Sequence, residues 1–174
     1  MVEARIMVDS KNVWEPSWIV IGTVGEPGER EFFLQLGESP KTTSFALEKA
    51  QAASLSEKIF QIARELGVSR KNLLPESRSL EMPVDPEFVV GLIALQWDGA
   101  NRKLIFELAS ATENSNSDDS KNFRFQIQIE SAIRFALATM LVVQAGRAPC
   151  MFCGGPMNRE GHLCPRSNGY RRQE

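Results

Sequence analysis

Histidine occurs once and cysteine three times in these 174 residues, and neither sign of charge dominates, with 20 Lys and Arg against 22 Asp and Glu. No stretch approaches the roughly 18 uninterrupted apolar residues that a membrane span needs. Each shortage excludes something. A lone histidine means that any Ser-His-Asp or Cys-His device would have to use His162. The opening Met-Val-Glu-Ala-Arg has no apolar signal core, so the expected location is the cytoplasm, with no membrane partner. Phosphate-cradling glycine loops are missing too. Gly25-Glu26-Pro27-Gly28 reads as a hairpin turn, because Pro27 removes an amide that a phosphate cradle would use. The acidic pair Asp118-Asp119 lies in a polar stretch where charge runs are usually solvated. No side-chain set is left that points to catalysis. The reading is a non-enzymatic protein, with an enzyme whose site does not show in sequence as the remaining alternative of that class.

What the chain does have is concentrated at its end. Cys150, Cys153, His162 and Cys164 lie within Cys-Met-Phe-Cys-Gly-Gly-Pro-Met-Asn-Arg-Glu-Gly-His-Leu-Cys, which holds every cysteine and the only histidine. Structural Zn²⁺ takes four thiolate or imidazole ligands tetrahedrally, and a Cys-x-x-Cys pair supplies two of them from one tight turn. Gly154 suits the bend after the pair, while Pro156 and Gly161 bound a short connection to His-x-Cys, which Pro165 follows. The segment therefore reads as a Cys₃His zinc ribbon or knuckle. Two plainer readings compete, a redox Cys-x-x-Cys and buried small apolar cysteines. A redox pair belongs where a strand enters a helix, whereas here a helix ends before the pair and none follows. Four protein ligands leave no position for water, so the zinc is expected to be structural. Metal-bound cysteines also agree with a reducing compartment.

Charge separates the tail from the rest. Residues 147–174 hold Arg147, Arg159, Arg166, Arg171 and Arg172 against Glu160 and Glu174, a net +3, which leaves −5 for the remainder of a chain whose total is −2. Arg166, Asn168, Tyr170, Arg171 and Arg172 are the expected partner-binding residues, since arginine and tyrosine bring area and directed hydrogen bonds to interfaces. Their first reading is an adaptor surface for another protein. Their second is nucleic-acid binding, with arginines on phosphates and Tyr170 or Phe152 stacked on a base, although +3 is a thin charge for it. A solvated basic end is the bland alternative.

Upstream, apolar alternation and turn residues mark a short strand at 4–8, a hairpin of strands at 17–24 and 30–36, and a third strand at 42–47. Leu55, Ile59, Ile62 and Leu66 then fall on one face of a helix over 48–66, stopped by Gly67 and expected to pack on the strands. Residues 68–86 contain Pro75, Pro83 and Pro86 and read as an irregular join. The order repeats with strands at 87–97, 103–108 and 123–129, a polar loop at 111–122, and a helix at 131–144 that is apolar almost all round. Such a helix needs burial on two sides, in the centre or beneath the zinc ribbon. The fold class is thus α+β, a mostly antiparallel sheet from two β-β-β-α halves followed by the zinc module. The expected boundaries are an α+β domain at 1–146, with halves at 1–67 and 87–146, and a zinc-binding module at 147–174.

The ending from Pro149 to Arg172, the stretch Gly22-Thr23-Val24-Gly25-Glu26-Pro27-Gly28 with Arg30 and Phe32-Phe33-Leu34-Gln35, and Ala94-Leu95-Gln96-Trp97-Asp98-Gly99 together resemble an uncharacterised bacterial family, domain of unknown function 3090. The resemblance spans nearly the whole chain. It implies a metal-binding C-terminus, no established activity, and an accessory role in a phosphorylation-linked pathway.

Overall fold

The hairpin expected around Gly25 is built as its residues require. In this computed structural model, which describes residues 13–26, 28–111, 121–146, 150–155, 157 and 161–166, β1 (Trp18–Val24) pairs antiparallel with β2 (Glu31–Glu38), Trp18 opposite Gly37 and Val24 opposite Glu31. Gly25 and Gly28 at the turn take φ of 102° and 114°, which only glycine adopts without strain. β3 (Lys41–Leu47) continues the meander, with Leu34 opposite Phe45. The expected strand at 4–8 and nearly all of the polar loop at 111–122 lie outside the described residues.

β2 is buried on both faces. Phe32, Leu34 and Leu36 join the core under the helices, whereas Phe33 and Gln35 point to the other side. That outer side is covered by the irregular join. The buried Gln35 side chain accepts from Glu81 N–H at 2.7 Å and donates to Glu81 C=O at 3.0 Å and to Ser44 Oγ at 3.1 Å. Arg78 stacks 3.8 Å over the Trp18 ring, and Leu80 sits where a side chain at Gly22 would be. So the proline-rich join is a strap fastened across the first three strands.

β4 (Pro86–Asp98) serves two partners. Its start runs parallel to β3, pairing Pro86 with Ser44 and Val89 with Ala46, and from Val90 onward it pairs antiparallel with β5 (Lys103–Ser110). β6 (Asn122–Gln128) completes a six-stranded sheet of order β1-β2-β3-β4-β5-β6, with Phe106 stacked on Phe125 across β5 and β6. A second parallel bridge, Trp14 to Phe125, attaches the residues before β1 to β6. The lead-in of each half is therefore stitched to the last strand of the other.

Each half ends in a helix, α1 (Lys49–Glu65) and α2 (Ile129–Gln144). Glu48 and Gln51 form a capping box at the start of α1, the Glu48 N–H donating to Gln51 Oε1 at 2.8 Å. The buried stripe of α1 is Ala52, Leu55, Ser56, Ile59 and Ala63, and it faces chiefly α2. This corrects two expectations, that Leu66 belongs to the buried face and that the face packs on the strands, while Ile62 packs against the core as expected. Ile62 is half-buried and Leu66 exposed. Small side chains let two helix backbones approach closely, and α2 answers with Ala132, Ala136 and Thr139. Ser56 and Thr139, both fully buried, satisfy their hydroxyls on the carbonyls of Ala52 and Phe135. The two-sided burial that α2 needs is supplied by α1 and β1. No helix among the described residues is long and apolar enough to cross a membrane.

Candidate metal centre

Residues 150–155 fold back on themselves at once. Gly154 N–H donates to Cys150 C=O at 2.9 Å and Cys150 N–H to Gly155 C=O at 2.7 Å, which closes a tight loop around the Cys-x-x-Cys pair. Gly154 and Gly161 take φ of 73° and 89°, so the bends on both sides of the cluster depend on glycine. Gly155 has a second reason to lack a side chain, since a Cβ there would stand 3.4 Å from the Cys153 sulfur.

These bends bring the four expected ligands together. One ligand atom from each of Cys150, Cys153, His162 and Cys164 lies within 4.8 Å of all the others. Cys150 Sγ is 3.8 Å from Cys164 Sγ, and Cys153 Sγ is 3.2 Å from His162 Nε2. Sulfurs bound tetrahedrally at about 2.3 Å from one Zn²⁺ stand about 3.8 Å apart, so the spacing fits a shared metal. All three cysteines are free thiols. Cys150 and Cys164 are buried, Cys153 and His162 half-buried. The Nδ1 atom of His162 is buried and finds no partner among the described residues, which leaves Nε2 as the nitrogen facing the sulfurs.

The backbone supplies the donors that thiolate sulfur needs. The amides of Cys153 and then Phe152 point at Cys150 Sγ and hold its thiol below the ordinary value, the Phe152 nitrogen lying 3.4 Å away. At Cys153 the Gly155 amide favours the thiolate, but burial and the neighbouring Cys164 and Cys150 outweigh it and raise the thiol. One thiolate is welcome in this pocket and the next is resisted. A divalent cation at the centre removes that conflict, which is how such clusters become fully deprotonated. The sequence reading picked out the four residues that cluster here and missed the amide donors, which leave no mark on residue identity beyond the glycines.

Of the expected partner-binding residues, Arg166 lies against the knuckle, where its Nη1 donates to Phe152 C=O at 3.2 Å. Asn168, Tyr170, Arg171 and Arg172 lie outside the described residues, as do Pro156 and residues 158–160. The knuckle also displays apolar side chains, of which sequence reasoning singled out Phe152 alone. Met151 is 92% exposed, Leu163 89% and Phe152 62%. The available signal was their position in a metal loop too short to have a core of its own.

The sheet and the helices, in contrast, bring together no second ligand cluster among the described residues. Among curated proteins none matches this chain. The model of one family, proteins of unknown function designated DUF3090, matches residues 13–164, which takes in the α+β fold and all four cluster residues. The chain belongs to the DUF3090 family.

Proposed function

We propose that this protein is a cytoplasmic, zinc-containing, non-enzymatic adaptor whose C-terminal module at 147–174 presents a protein-binding surface. The observation that carries the proposal is the Cys150, Cys153, His162, Cys164 cluster with Met151, Phe152 and Leu163 turned outward around it. In this reading all four positions are taken by protein, so zinc crosslinks the tail and holds those side chains in place. Apolar residues at the centre of a patch with arginine at its rim are the usual make-up of a protein interface. Arg166 stands at that rim, and Asn168, Tyr170, Arg171 and Arg172 follow it in the sequence. A role beside a phosphorylation-linked system rests on the resemblance alone.

The test is a photo-crosslinkable residue at position 152 in the zinc-loaded full chain. One dominant crosslinked protein, lost together with zinc in Cys153→Ser, is the expected result. Labelling without a dominant product would overturn the adaptor reading. Replacing Arg171 and Arg172 with Ala should reduce that crosslink and leave the melting temperature nearly unchanged.

A second reading, nucleic-acid binding, is favoured by one specific feature, an exposed aromatic ring at Phe152 with Arg166 beside it. It requires affinity for mixed-sequence RNA or single-stranded DNA that falls steeply with salt and vanishes when the tail arginines are removed.

A further inference from the structure

The two halves differ in one respect that bears on a partner. α2 lies along β1 and covers it, but α1 does not pack along β4, the corresponding strand of the second half. Between α1 and β4 there is an open groove of about 510 Å³, lined by Ala50, Ser54, Leu55, Lys58, Leu92 and Leu95 among others. β4 is the longest strand among the described residues, and its residues 88–97 contain no charged side chain and no proline. Val89 is 55% exposed and Leu92 64%.

The backbone along this edge is equally open. Once the parallel pairing with β3 ends at Val89, nothing among the described residues forms a ladder with that side of β4. Among the described residues Gln51 caps it, its Nε2 donating to Val90 C=O at 2.9 Å and Gly91 C=O at 3.4 Å. Edge strands that stay single are ordinarily blunted by charge, proline, shortness or a bulge, and beyond the register shift between Val90 and Leu92 residues 92–97 carry none of those guards.

We propose that the β4 edge and the groove beside α1 dock a second copy of this chain, β4 against β4, antiparallel about a twofold axis. Such a pairing makes the sheet continuous through both copies and places apolar side chains of each β4 beneath the other copy's α1. The strand is complementary to itself in charge. Residues 90–97 can face their own copies without bringing like charges together, because Glu87 and Asp98 lie outside that stretch. A ligand with a head group would need polar anchors, and Lys58 is the one charged side chain lining the groove.

The surface also sets the strength of the dimer. The groove and the free edge offer about fourteen residues per copy, which at the usual 30–40 Å² per interface residue bury roughly 850–1,100 Å² over both copies. That is the lower limit for a specific interface. The dimer should therefore form in a concentration-dependent way and dissociate on dilution, independently of the metal module.

Sedimentation velocity of the full chain from about 1 to about 200 µM tests this, with Ala94→Lys as the edge-blocking variant. Ala94 is exposed on β4, and the fold of the variant is checked by its unfolding temperature at low concentration. The expected result is a wild-type monomer that becomes a dimer as concentration rises, and a variant that stays monomeric throughout. A wild-type chain that remains monomeric at the highest concentration overturns the proposal, and so does a dimer that Ala94→Lys leaves intact. Hydrogen exchange on the wild type alone gives a second decision. Amides of residues 92–97 should exchange more slowly at high than at low concentration, and equal rates overturn the interface.

Discussion

Replacing Gln35 should release the strap that crosses the first sheet face, and the size of the effect follows from its contacts. Gln35 is 1% exposed and uses both amide hydrogens and its carbonyl, on Ser44 Oγ and on the backbone of Glu81. Gln35→Met keeps most of the side-chain volume and removes all three bonds. The Glu81 N–H and C=O then lose their partners in a partly buried position, and each such loss costs about 1–3 kcal/mol, less where water can enter. We expect a loss of about 2–3 kcal/mol in urea unfolding without a change in slope. Native-state hydrogen exchange should show the Glu81 amide opening before the β2 and β5 amides. A change below about 0.5 kcal/mol, the range of ordinary surface substitutions, would refute the idea that this glutamine fastens the strap.

Three other outcomes are open to measurement. Cys153→Ser should lower bound metal and expose residues 150–166 to protease, because metal binding and folding of small modules are coupled; full metal content with unchanged protection would remove Cys153 from the site. Ala136→Leu, on the fully buried small-residue stripe of α2, should force α1 and α2 apart and cost about 1–3 kcal/mol by overpacking; thermal unfolding would detect it. The Glu81 carboxyl is held below its ordinary 4.5 by the Thr42 hydroxyl and then by Arg78, so its contribution is present above that pH and fades as pH falls through the lowered folded value. Glu81→Gln should accordingly be less stable than wild type at neutral pH, and the gap should close below about pH 4.5. A gap that widens in acid would reverse the assigned sign.

Much of this fold could be read from local pattern. The glycines at 25 and 28 mark the first hairpin, and the alternation of Phe123, Phe125 and Ile127 with Arg124, Gln126 and Gln128 marks β6. The Cys₃His cluster was legible because its residue types are scarce and their spacing is chemical. Features set by distant partners were not. The α1–α2 contact rests on Ala52, Ser56, Ala63, Ala132 and Ala136, and small residues carry little weight in a hydrophobic period although they permit the closest approach. β4 is strongly apolar in composition, yet it is half-exposed, because α1 leans on α2 and leaves that strand uncovered. Likewise, the role of Gln35 depends on Glu81, 46 residues away, and a polar residue inside a strand gives no hint of its partner.

The central claim is a Cys₃His zinc site that organises the tail. X-ray absorption at the zinc edge, on full-length protein with metal content measured per chain, tests it most directly. The account requires about one zinc per chain, with three sulfurs near 2.3 Å and one nitrogen near 2.0 Å. A shell of oxygen and nitrogen without sulfur, or a metal-free chain in which residues 150–166 remain folded, would contradict it.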